Sequence, residues 1–248
     1  MENSELLRRA EDLFRRCEKN SALTATHFLT PAERFALQRW LNTQPRCRLF
    51  FSGGHPDCER TVGFFLPDYM EEEWLPLDET IRAFELTAAF GAPGHRDYLG
   101  AILAMGLRRE WIGDIWIQGQ DALVFCLPSV AGQILSLEQA GRVSVKTRQI
   151  PLREVTAPAR KVRPVRFTVQ SLRFDAVLGE LFRLSRTQVV KLIAAGAAMK
   201  NDLPVLKNDA PVAPGDVLSL RGYGKGRIAE AGGASRKGRI FVQAEVYE

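Results

Sequence analysis

Metal- and redox-active residues are sparse in this sequence. The four cysteines, Cys17, Cys47, Cys58 and Cys126, form no C-x-x-C pair, and the only histidines are His27, His55 and His95. Zinc ligation needs Cys or His clustered at short spacing, so no metal site is expected and the thiols read as buried and reduced. No run approaches the roughly 18 uninterrupted apolar residues of a membrane span. The opening MENSELLRRAEDLFRRCEK has no apolar core like that of a secretory signal. A cytoplasmic chain without a membrane partner is the expectation. Neither Gly91-Ala-Pro-Gly94 nor Gly222-Tyr-Gly-Lys-Gly226 fits G-x-x-x-x-G-K-[ST], so no nucleotide cofactor is expected. Ser52 and His55 lie too close along the chain for a catalytic triad, and a hairpin turn accounts for the glycines between them.

Acidic charge is scarce in one region only. Residues 160–248 hold 16 Lys+Arg against 8 Asp+Glu, whereas residues 1–159 hold 18 against 21. A basic third on a slightly acidic body points to a polyanion-binding module at that end.

Three segments follow, with an α+β fold class overall. Residues 1–76 read as a mostly helical N-terminal domain. An amphipathic first helix turns Leu6, Leu7, Leu13 and Phe14 inward. Thr30, Pro31 and Glu33 form a helix start with a capping box. Arg48–Phe51 and Val62–Leu66 look like short strands around a Gly-Gly-His-Pro-Asp turn, and Glu59-Arg60 reads as an interdomain ion pair or an RNA contact. Residues 77–154 have the order β-α-β-β-α-β, with helices at His95–Leu107 and Ser129–Ala140. That is the split βαβ, ferredoxin-like pattern, shared by RNA-recognition (RRM-like) domains and by unrelated proteins. The segment lacks an aromatic-rich strand for stacking bases. Residues 155–166, with Pro158 and Pro164, read as a basic linker.

Residues 167–248 carry the clearest chemistry. Asp175 is expected to cap one helix and Ser185, with Gln188, to cap a second that Gly196 terminates. Arg186 sits in the first turn of that second helix, where free N–H groups already favour an anion. Thr187 and Lys191, four apart, share its polar face. Val217–Arg221 reads as a final strand before a flexible glycine-rich basic loop, where Arg221, Tyr223, Lys225 and Arg227 have the chemistry for further contacts with such a polyanion.

Arg173-Phe174-Asp175, Leu184-Ser185-Arg186, Ile193 to Gly196, Lys200-Asn201 and Pro214-Gly215-Asp216-Val217 together resemble the S4-like RNA-binding domain. Asp202 departs from that pattern, which has glycine there. The resemblance implies RNA contacts at Arg173, Ser185, Arg186, Thr187, Lys191, Lys200 and Asn201. Phe28-Leu-Thr-Pro31, Phe51-Ser-Gly-Gly54, Pro67-Asp68-Tyr69, His95-Arg96-Asp97-Tyr-Leu99-Gly100 and Gly113-Asp114-Ile115 extend the likeness, and nearly the whole chain resembles the YlmH-type bacterial proteins. That resemblance implies a monomeric, non-enzymatic RNA-binding protein without DNA specificity or cofactor. Its partners would be rRNA and tRNA on the large ribosomal subunit, on stalled subunits carrying peptidyl-tRNA. His95 and Arg96, at a helix start, are a candidate second RNA contact. The alternatives are a ribosome assembly factor or an RNA-modifying enzyme using Asp97 as a pseudouridine synthase uses its aspartate. Against that enzyme, about 75 residues are too few for such a catalytic domain.

Overall fold

The computed structural model describes residues 2–158, 162–201, 203–234 and 238–247. Ala159, Arg160 and Lys161 of the expected linker, and Asp202, lie outside the described residues. The chain forms two compact units, Met1–Pro158 and Ala159–Glu248.

The first unit opens with α1 (Glu2–Asn20), β1 (Thr24–Leu29), α2 (Pro31–Leu41), β2 (Arg48–Ser52) and β3 (Thr61–Leu66). The capping box at Thr30 and Glu33 forms as the sequence predicts, with Pro31 in the first turn. Strand β1 was not expected. It completes an antiparallel sheet of order β1-β3-β2 beside the two helices. Its Thr-Ala-Thr-His-Phe-Leu sequence pairs on one side only, and Ser21, with positive φ, makes the turn that a glycine would have advertised.

The same unit continues through α3 (Leu77–Thr80), β4 (Arg82–Ala88), α4 (His95–Ala104), β5 (Ile112–Gln118), β6 (Asp121–Cys126), α5 (Ala131–Leu135), β7 (Gln139–Ala140) and β8 (Val143–Ile150). The antiparallel order β5-β6-β4-β8-β7 places the four main strands as a split βαβ unit does. The second helix is much shorter than Ser129–Ala140. A 3-10 turn at Pro128–Val130 precedes it, and after Ser136 the chain swings into β7, which a Gly141-Arg142 turn folds onto β8.

The segments 1–76 and 77–154 share one core. Phe28, Val62 and Phe64 from the small sheet pack with Ala83, Leu123, Phe125 and Ile150 from the large one and with Ile81 just before β4. Each of these side chains apart from Ala83 contributes about 1.5–3 kcal/mol of burial. Gly113 sits at the join: a Cβ there would stand 2.7 Å from the Phe28 ring.

The second unit holds β9 (Val162–Val169), α6 (Phe174–Phe182), α7 (Arg186–Ala194), β10 (Ala198–Lys200), β11 (Leu203–Pro204), β12 (Val217–Leu220), β13 (Gly224–Ala234) and β14 (Ile240–Tyr247). One sheet of order β11-β10-β12-β13-β14-β9 carries both helices on one face. Two expectations are corrected here. Residues 162–166 are edge strand rather than linker, and Pro164 is tolerated because β9 pairs only with β14. The glycine-rich stretch is not a flexible loop either. A tight turn at Arg221–Tyr223 leads into β13, and Gly226 is buried where a Cβ would meet the Glu245 carbonyl oxygen at 3.0 Å.

Candidate nucleic-acid interface

The α6–α7 pair builds a groove from short-range rules. Helix α6 buries Phe174, Val177, Leu178 and Leu181 against the sheet. The helices close up at Gly179, where a Cβ would lie 3.2 Å from the Leu184 carbonyl oxygen. The Ser185 hydroxyl accepts the Gln188 N–H at 3.3 Å, while the Gln188 side chain accepts the Ser185 N–H at 3.1 Å. Gly196, φ 69°, ends α7 as predicted, and the Gly196 and Ala197 N–H groups close back onto the Ile193 and Leu192 carbonyls. The resulting groove, of about 690 Å³, is lined by Arg173, Arg183, Arg186 and Arg239, with Asp175 and Glu180 among them.

Asp175 does not cap α6 from the position before it. Arg173 occupies the cap position, and Asp175 lies inside the first turn with its carboxylate 2% exposed. Arg173 donates to both carboxylate oxygens at 3.1 Å, the Ala176 N–H donates at 2.9 Å, and Arg186 Nη2 stands 3.5 Å from Oδ2. Burial alone would raise the Asp175 carboxyl. The hydrogen bond and charge of Arg173, the Ala176 N–H and the Arg186 charge together outweigh it and hold the group below the usual carboxylate range. The carboxylate thereby gathers two guanidinium groups at the groove wall, with Arg186 still 77% exposed.

The other residues singled out from the sequence fall in three places. Thr187 and Lys191 are exposed on α7, opposite buried Val189 and Ile193. Lys200 and Asn201 are tied into the fold. The Lys200 ammonium donates to the Pro211 carbonyl at 2.9 Å, and the Asn201 amide donates to Asp216 at 2.7 Å while accepting the Val217 N–H at 2.8 Å. Arg221 and Tyr223 lie in the exposed turn between β12 and β13. Lys225 and Arg227 alternate with buried Gly226 and Ile228, so they point from the sheet face opposite the helices.

In the first unit His95 and Arg96 are exposed at the start of α4. Burial of part of the ring and then the Arg109 charge push the His95 imidazole below its ordinary value, with Asp114 opposing. Beside it, Arg60 and Arg109 both donate to the Ile112 carbonyl, at 3.1 and 2.6 Å, at the bulge in β5. Arg109 is pushed down to about 10 by burial and by Arg60. The buried Asp114 carboxylate accepts the Glu59 and Arg60 N–H groups at 2.7 and 3.0 Å. The Arg60 side chain binds backbone carbonyls of Phe28, Arg109 and Ile112, a role that spacing alone did not distinguish from an ion pair. Asp97 accepts the Gly94 N–H at 2.8 Å and packs against Gly141, which fixes the start of α4. All four thiols are buried, which raises their pKa, Cys47 and Cys126 to about 12.

Residues 80–154, the sheet of β4 to β8 with its helices, match the family model described as a putative RNA-binding domain in YlmH. Over 223 residues the chain is 32% identical to the ribosome-associated protein quality control protein P2 of Bacillus subtilis (strain 168), covering 89% of this chain and 86% of that protein. The chain belongs to the YlmH family. The fold is also similar to that of the cell division protein ylmH from Streptococcus pneumoniae, with a TM-score of 0.54 and 21% identity over 62% of this chain and 94% of that one.

Within this YlmH-family chain, sequence reasoning found Arg173 and Arg186 but missed what joins them. Asp175 carries a readable signal, an acidic residue two positions after one arginine at the start of an apolar helix, but a helix cap has the same signature. Arg183 and Arg239 carried none, because only the turn between α6 and α7 and the start of β14 bring them to the groove.

Proposed function

We propose that this protein is a non-enzymatic RNA-binding protein that acts at the ribosome, on rRNA and tRNA of stalled large subunits carrying peptidyl-tRNA. The observation that carries the reading is the α6–α7 groove, where four arginines meet and one buried carboxylate aims two of them outward. Guanidinium forks suit phosphate oxygens, and each phosphate engaged releases counterions. The S4-like reading of residues 167–248 rests on the motifs that place Arg173, Asp175 and Arg186 on this helix pair. The membership in the YlmH family and the name of the Bacillus relative support a ribosome-associated quality-control role. Neither that name nor the family description is that of an enzyme, and Asp97 has a structural task at the start of α4.

The test is sedimentation of the tagged full-length protein from lysate through sucrose gradients at low and high salt, beside an R173A/R186A variant. The expected result is co-migration with large subunits at low salt, lost at high salt and in the double variant. Undiminished co-migration of the folded double variant would remove the groove from the reading. Migration of the wild-type protein at the top of the gradient at both salts would sink the ribosomal reading.

A further inference from the structure

Helix α6 reverses onto α7 within three residues, Arg183, Leu184 and Ser185. The reversal is made at Arg183, whose backbone is left-handed, φ 56° and ψ 48°. The Arg183 and Leu184 N–H groups both fold back to the Gly179 carbonyl. Glycine is the low-energy residue for this conformation, with asparagine next, because a Cβ crowds the backbone there. The chain uses glycine for the same purpose at the end of α7, at Gly196. Among the described residues only Ser21, Arg183 and Asn201 have positive φ without being glycine, and the Asn201 amide is consumed by its turn. The backbone therefore gives no reason for an arginine at 183.

The side chain supplies one. Arg183 is exposed and lines the same groove as Arg173, Arg186 and Arg239. Those three each sit against a carboxylate: Arg173 and Arg186 on Asp175, Arg239 on Glu180 at 3.1 Å. Among the described residues no carboxylate pairs with Arg183. A strained backbone position is retained, and its product is an unbalanced guanidinium at the mouth of an arginine-lined groove.

We propose that Arg183 is an RNA-contacting residue, taking a backbone phosphate at the α6–α7 turn next to the one gathered by Arg173 and Arg186. The proposal rests on the RNA reading of this groove and extends it to a residue that the motifs of the sequence do not mark. It also separates binding from stability, because here the residue best for the ligand is not the residue best for the fold.

The test uses the full-length protein with Arg183→Gly, Arg183→Asn and Arg183→Lys, beside the R173A/R186A variant. Unfolding temperature is measured by calorimetry, and affinity for a fluorescent RNA stem-loop by anisotropy across a salt series. Arg183→Gly should raise the unfolding temperature of the second unit by about 2–5 °C while weakening RNA binding several-fold. It should also reduce the slope of log affinity against log salt by about 0.7–0.9, the loss of one phosphate contact. Arg183→Asn should bind as weakly as Arg183→Gly, and Arg183→Lys should recover most of the affinity. Wild-type affinity in Arg183→Gly, with weak binding in R173A/R186A, would overturn the proposal and leave the groove reading standing. Wild-type affinity in all of these variants would remove both. A lowered unfolding temperature in both Arg183→Gly and Arg183→Asn would show that the arginine serves the fold and would equally overturn the proposal.

Discussion

Arg173 and Asp175 face each other across a two-point contact, Nε to Oδ1 and Nη2 to Oδ2, each 3.1 Å, with the carboxylate 2% and the guanidinium 40% exposed. The contact is thus buried on its acidic side and open on its basic side, which suits a residue that must be held yet remain available. Asp175 also carries Arg186, so one carboxylate sets the spacing of two cations from different helices.

Loss of that carboxylate should be felt in stability and in its pH dependence. Asp175→Asn keeps the volume but removes the charge-assisted bonds, and should destabilise the second unit by about 1–3 kcal/mol at neutral pH. The folded-state carboxyl is held below its ordinary value, with burial opposing and Arg173, the Ala176 N–H and Arg186 favouring the ionised form. A depressed carboxyl contributes stability above the unfolded-state value, about 3.9, and loses it as pH falls through the lower folded value. Denaturant titrations of both proteins should therefore differ at pH 7 and converge on acidification below about pH 4. A gap that persists unchanged into that range would mean that shape, not charge, sets the effect.

How much of this was legible in the sequence depends on the range of the cause. The capping boxes at Thr30 and Ser185, the turn at Gly196 and most strands of the first unit's large sheet follow from neighbours within a few residues, and they form where the sequence predicts them. β1 escaped because its partner β3 lies more than 30 residues away and its own turn uses Ser21 instead of glycine. β13 escaped because glycines at 222, 224 and 226 suggested freedom, whereas Gly226 is there to let the strand pass beneath Leu181. The alternation Ile240, Val242, Ala244, Val246 was the available sign of β14. At the interface, residue types were legible and their assignments to faces were not. Lys200 and Asn201 look like ligand residues by type, and the fold gives them structural partners.

The shared core of the first unit makes Gly113 a sensitive position. A Cβ there would lie 2.7 and 2.8 Å from Phe28 ring carbons and 2.9 Å from the Phe125 Cβ, and neither ring has room to retreat. Gly113→Ala should cost about 1–3 kcal/mol by overpacking. Since Phe28 belongs to β1 and Phe125 to β6, both sheets should lose stability together. Hydrogen exchange would report this as faster opening of β1 and β6 amides alike. Faster exchange confined to one sheet would contradict the single core.

Lys225 and Arg227 provide the complementary test of where RNA runs on the second unit. They project from the sheet face opposite α6 and α7, with Arg227 directly across from Glu245 and Lys225 across from Tyr247. A single RNA helix lying in the α6–α7 groove cannot also reach that face without wrapping the sheet edge. Under the groove reading, Lys225→Ala with Arg227→Ala should weaken RNA binding by less than about threefold, against a loss of tenfold or more for R173A/R186A. The two effects should also add in the quadruple variant, because the two pairs project from opposite faces of the sheet. If the sheet-face pair proves as costly as the helix-edge pair, the RNA must wrap the unit, and Arg221 and Tyr223 in the β12–β13 turn would then mark the path between the two faces.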